Sequence, residues 1–174
     1  MADEKKEKWL NWLALTTLIF SAAATLGSSK AGGYSSKAMS EQIKASDQWA
    51  FFQAKSIKQH TFDLQREALS LAMLPVAEPI QAKYKEAIER IAKDVSRYDA
   101  EKKEIKAQAA DHEKNRDVAA VFAGLFARAV LYLQVAIIVS ALAALMKKQP
   151  LWLVSFVPGI IGMVYFIRAF WLTW

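Results

Sequence analysis

The chain has 174 residues, enough for one modest domain. Hydrophobic residues make up 54% and charged residues 23%, but the charge is segregated: residues 28–117 carry 16 of the 23 Lys and Arg and 14 of the 17 Asp and Glu. From Val118 to Trp174 no residue is acidic and four are basic, which excludes both a simple soluble globule and a fully disordered chain.

The net charge of +6 does not make a nucleic-acid footprint. The middle segment is close to neutral with finely mixed signs. The excess lies in Arg128, Lys147, Lys148 and Arg168, inside or beside apolar runs where such residues anchor helices to an interface. There is no cysteine, so disulfides, thiolate metal sites and cysteine nucleophiles are excluded.

Residues 1–8 form a charged N-terminal segment. Residues 9–27, WLNWLALTTLIFSAAATLG, are long enough for a first transmembrane helix, expected to be a retained anchor rather than a cleaved signal. Thr17, Ser21 and Thr25 share one face of it and are expected to bond helix to helix. Residues 28–35 sit in a stretch of three glycines and four serines, GSSKAGGYSS, and are expected to form a flexible linker.

Residues 36–117 predict an extramembrane helical hairpin. In the first arm Ile43, Ala50, Ile57, Leu64 and Leu71 recur every seven residues, with Ala54 and Ala68 filling the seam. In the second, Tyr84, Ile91, Tyr98 and Ile105 repeat the period, flanked by Ile88, Val95 and Ala109. Residues 74–79, with Pro75 and Pro79, make the turn. In the antiparallel register, His112 falls opposite about residue 42 and His60 opposite about residue 94, so the two histidines do not share a metal site. The stretch DQWAFFQAKSIK carries aromatics off the seam. Trp49, Phe51, Phe52 and Phe62 point in too many directions for one partner helix to cover, and are expected to contact another protomer. The alternative is packing on Val121, Phe122 and Leu125 of the same chain.

Residues 118–146 predict a long helix whose membrane part begins near Arg128. Ala119, Ala123 and Ala127 place small residues at spacing four, a second candidate contact between protomers. The link 147–150 predicts a tight antiparallel turn. Residues 151–168 predict the third transmembrane helix, with Pro158 and Gly159 at a kink, and 169–174 an aromatic interfacial tail. Arg128 and Arg168 then lie at one membrane face. They serve either lipid phosphates or a pore mouth.

The fold class expected is therefore an all-α membrane protein: three transmembrane helices with a long antiparallel helical hairpin, coiled-coil-like, inserted between the first and second. The segments WLALTTLIFSAAATLGSSKAGG and ASDQWAFFQAKSIKQH resemble a bacterial family of small membrane proteins catalogued as domain of unknown function 4337. The resemblance covers nearly the whole chain and is most specific at Asp47–Lys58. It implies the same architecture and brings no activity with it.

No nucleophile elbow, zinc-protease motif or glycine-rich nucleotide fingerprint occurs. His112, between Asp111 and Glu113, reads as a surface histidine. The carboxylates of the middle segment are nearly all matched by basic neighbours, and no pair is poised as acid and base. No catalytic, metal or cofactor residue is assigned, and an enzyme is not expected. Lys5, Lys6, Lys8, Lys147 and Lys148 on one side place the N-terminus in the cytoplasm and the hairpin in the periplasm of a bacterial inner membrane. The leading expectation is a self-associating membrane scaffold, with lipid and further copies of itself as partners and no nucleic acid. The alternatives are an oligomeric channel or transporter with an arginine-lined mouth, and an accessory subunit of a larger membrane complex.

Overall fold

The computed structural model describes residues 2–173, with side chains from Lys8 to Thr173. The side chains of the charged N-terminal segment up to Glu7, and Trp174 of the aromatic tail, lie outside the described residues. Among the described residues there are three α-helices and no strand: α1 (Ala2–Met73), α2 (Ile80–Met146) and α3 (Gln149–Leu172). Each contains a window long and apolar enough to cross a membrane. Only 28%, 28% and 17% of those windows are buried, so most of their apolar surface faces outward.

The chain forms two compact units. Ser40–Asn115 make one, and the residues before and after make the other.

In the apolar unit, Phe20, Ala23 and Ala24 of α1 pack against Leu133 and Ala136 of α2, with Phe156 and Met163 of α3 beside them. Small residues let the backbones approach, which is how helices gain contact where the hydrophobic effect is weak. A Cβ built on Gly159 would overlap the Phe20 ring, so this glycine is the seat on which that ring rests. α3 runs helical through Pro158.

The flexible linker expected at residues 28–35 is instead part of α1. Its glycines and serines disfavour a helix, but packing overrides propensity. Tyr34 stacks on Phe126 at 6.1 Å with an interplanar angle of 8° and meets Phe122 at 5.3 Å. Gly27 admits α2 closely; a Cβ there would stand 2.9 Å from Val130 Cγ2.

α2 ends in a Schellman arrangement. Lys148 N donates to Ala143 O at 3.1 Å and Lys147 N to Ala144 O at 3.2 Å, with Lys147 left-handed at φ 53°. Pro150 then occupies the first turn of α3, where its missing N–H costs nothing.

In the charged unit the α2 stripe lies inward, with Tyr98, Ile105 and Ala109 buried. The α1 stripe expected to face it does not. Ile43, Ile57, Leu64 and Leu71 are 54%, 68%, 53% and 61% exposed. The inward face of α1 is a second heptad set, two residues earlier in phase: Glu41, Ala45, Gln48, Phe52, Lys55, Gln59 and Phe62. Long stems and rings cover more of α2 than the aliphatic stripe could, and they bring partners for α2's carboxylates.

Candidate functional site

The inward face of the charged unit is where aromatic and ionisable groups converge. Its contacts run in opposite directions along the chain: Trp49 meets Glu113, Lys55 meets Glu101, and Gln59 meets Asp99. Trp49 Nε1 donates to Glu113 Oε1 at 2.9 Å, and its ring meets Phe52 edge-on at 5.6 Å. Phe62 stacks on Tyr98 at 5.7 Å. Lys102 Nζ lies 5.5 Å from the Phe52 ring and also donates to Gln59 Oε1 at 2.7 Å.

Lys55 is the centre of this layer. Its Nζ donates to Glu101 Oε2 at 2.5 Å and stands 5.2 Å from the rings of both Phe51 and Tyr98. The Lys55 hydrogen bond holds the Glu101 carboxyl below the usual carboxylate range. A shallow groove of about 320 Å³ opens beside the pair, lined by Gln48, Phe51, Glu104, Ile105 and Gln108 as well.

At the other end of the unit, His112 Nδ1 is 2.6 Å from Glu41 Oε2, and Lys44 Nζ donates to Glu41 Oε1 at 2.8 Å. Those two hydrogen bonds, Lys44's first and then His112's, hold Glu41 below the usual carboxylate range. His112 is therefore not a plain surface histidine. The signal was available: the antiparallel register puts residue 42 opposite His112, one position from Glu41. His60 is exposed on the other face of α1. Among the described residues no group of three or more His, Asp and Glu could hold a metal ion. The carboxylates that are buried or half-buried here are engaged, so the layer offers fixed charge rather than a poised acid or base.

The aromatics assigned to contact between protomers are thus divided. Trp49, Phe52 and Phe62 are half-buried against α2 of the same chain, which one partner helix was not expected to achieve. Within the charged unit these rings meet residues 98–113 of α2, and within the apolar unit Phe122 meets Tyr34. Of the four, only Phe51 stays exposed. In the apolar unit Ala119 is buried, Ala123 half-buried and Ala127 exposed, so the alanine line winds from inside to outside. Arg128 and Arg168 are both exposed.

The hydroxyls of the apolar unit behave differently from expectation. Thr17 and Thr25 donate to backbone carbonyls of their own helix, those of Leu13 and Ser21. The bonds that join helices are Ser140 Oγ to Ser155 Oγ at 2.9 Å, wholly buried, and Trp152 Nε1 to Thr16 Oγ1 at 3.1 Å. Ser155 and Trp152 lie on the third apolar run, where a sequence reading weighted towards charge does not look. An exposed polar groove on the same unit is lined by Ser21, Thr25, Ser28, Ser29 and Gln134.

The chain belongs to a family described as a domain of unknown function (DUF4337), whose model matches residues 9–172. No curated protein and no solved structure matches it.

Proposed function

We propose that this member of the DUF4337 family is a self-associating scaffold of the bacterial inner membrane. Its three apolar helical segments span the bilayer, and the charged unit forms an antiparallel hairpin outside it. The observation that carries this reading is how the side chains are distributed. Each unit holds a few polar pairs between its helices, Ser140–Ser155 in one and Lys55–Glu101 and Glu41–His112 in the other, while most of the charged side chains stand outside. Both leave large apolar residues on the outside, among them Leu18, Ile138, Val157 and Ile160 on the apolar unit and Ile57 and Leu71 on the charged one. Outward apolar residues on the spans suit lipid. Outward apolar residues on a water-facing unit suit protein.

In this reading the N-terminus and the Lys147–Lys148 turn face the cytoplasm, and Arg128 and Arg168 reach lipid phosphates on the hairpin side. The engaged carboxylates of the hairpin stiffen it and perform no reaction. The deciding experiment is native mass spectrometry of the protein released from mild detergent. A homo-oligomer supports the scaffold. A single copy, or one copy bound to a different protein, would replace it with an accessory subunit.

A further inference from the structure

The aliphatic heptad stripe that α2 leaves uncovered is itself an organised surface. Ala50, Ala54, Ile57, Thr61, Leu64, Ala68 and Leu71 lie along one line of α1, all of them exposed, and from Ala54 onward they alternate small and large. The spacing is 3.5 residues on average, the period that keeps two helices in contact along a shared seam. Asp47 is the charged residue on the line and ends its apolar core at Ala50. We propose that this stripe is the seam by which a second copy of the chain docks, α1 against α1. The proposal rests on the scaffold reading and names the surface that reading requires.

Three things favour a copy of itself. The first is that small and large residues alternate along the line, so the stripe is complementary to itself, as a two-fold interface demands. In a parallel, in-register pair Ile57, Leu64 and Leu71 each meet their own copy, with the alanines and threonine of both helices between these layers. The second is charge. Beside the core of the seam stand Phe51, Lys58, Gln65 and Ala72 on one edge, and Gln53, His60 and Glu67 on the other. In a parallel, in-register pair Gln53 faces the partner's Lys58, His60 the partner's Gln65, and Glu67 the partner's Ala72. Beside the apolar core no two like charges meet; on the line itself Asp47 would face its own copy, which sets the end of the seam at Ala50.

The third is area. Phe51, Ile57, Leu64 and Leu71 are each at least half exposed. Half or more of such a side chain is on the order of 100 Å². With the alanine floor the stripe offers roughly 500 Å² per copy, below the ~800 Å² of a standard interface. That is too little for two chains meeting from bulk solution. It suffices for two chains confined to one bilayer, where the effective concentration is already high. A soluble foreign partner would lack that advantage.

The chain has no cysteine, so single cysteines report without background. Leu64→Cys and, as a control on the exposed face of α2, Lys103→Cys are made in the full-length protein in liposomes and oxidised with copper phenanthroline. The seam predicts a disulfide dimer at position 64 formed at least tenfold faster than at position 103. Equal rates, or none at 64, overturn it. In parallel, Ile57→Glu with Leu64→Glu is compared with the unaltered chain by native mass spectrometry and circular dichroism. Both residues are already exposed, so helix content should hold while the population of dimer falls at least tenfold. An oligomer of unchanged mass in the double variant overturns the seam and leaves the scaffold standing. A monomer in the unaltered chain removes both.

Discussion

Gly159 offers a direct measure of how closely α1 and α3 are packed. A methyl group at this position would lie 2.7 Å from Phe20 Cε2 and 3.0 Å from Cε1, against a preferred carbon–carbon separation of about 3.5–4.0 Å. The ring would have to retreat by about 1 Å. It has little room, because it is 7% exposed and meets Phe156 edge-on at 6.3 Å. Overpacking of this kind costs about 1–3 kcal/mol. In a chain where Phe20→Ala has already emptied the seat, the same Gly159→Ala change should cost nothing. It should even stabilise α3 by about 0.5–1 kcal/mol, the usual advantage of alanine over glycine in a helix. The coupling between the two positions is therefore about 1.5–4 kcal/mol, well above the error of additive sites. Titrating the four proteins from mild detergent into dodecyl sulfate, with tryptophan fluorescence and circular dichroism as readouts, gives the cycle. If Gly159→Ala costs the same with and without the Phe20 ring, the two helices are not packed in this way.

Gly32 and Gly33 face open space on a continuous helix, so Gly32→Ala and Gly33→Ala should each stabilise by about 0.5–1 kcal/mol; a loss of stability or helix content would restore the broken linker. Lys147 bears the left-handed backbone at the end of α2 with a Cβ in place, so Lys147→Gly should raise stability by about 1 kcal/mol in the same titration. Glu41 binds its proton less readily in the folded chain than in the unfolded one. Its contribution is therefore complete above the ordinary carboxylate range and declines as pH falls through that range and below. Glu41→Gln should flatten the acid limb of a plot of melting temperature against pH, and an unchanged acid limb would show that the bonds from Lys44 and His112 do not hold.

The helices were legible because their signals are redundant: long apolar runs for the apolar unit, and Pro75 and Pro79 for the turn between α1 and α2. The phase of α1 in the charged unit was not. Two heptad sets coexist there, one aliphatic and one made of Phe52, Lys55, Gln59 and Phe62, and periodicity alone does not say which turns inward. Hydrophobicity favours the first. The choice fell on the second because Lys55 and Gln59 bring partners to Glu101 and Asp99 while Phe52 and Phe62 still cover α2. The stretch at residues 28–35 misled for a related reason. Its glycines register in any propensity scale, whereas the stacking of Tyr34 on Phe126 depends on a residue about ninety positions away. The Glu41–His112 contact needed only the register and attention to what stands next to residue 42.

The buried Ser140–Ser155 bond limits how the apolar unit can move. Ser140 Oγ donates to Ser155 among apolar side chains and has no water to turn to if the two separate. Sliding α3 along α2 by one helical turn, about 5.4 Å, would strand the Ser140 hydroxyl, while Ser155 keeps its bond to Trp152 O, and would force Phe20 off Gly159 at the same time. Small tilts about the serine pair keep the bond and the seat. Any working motion of these helices is therefore a rocking about a fixed pivot, and a piston-like stroke is closed to them.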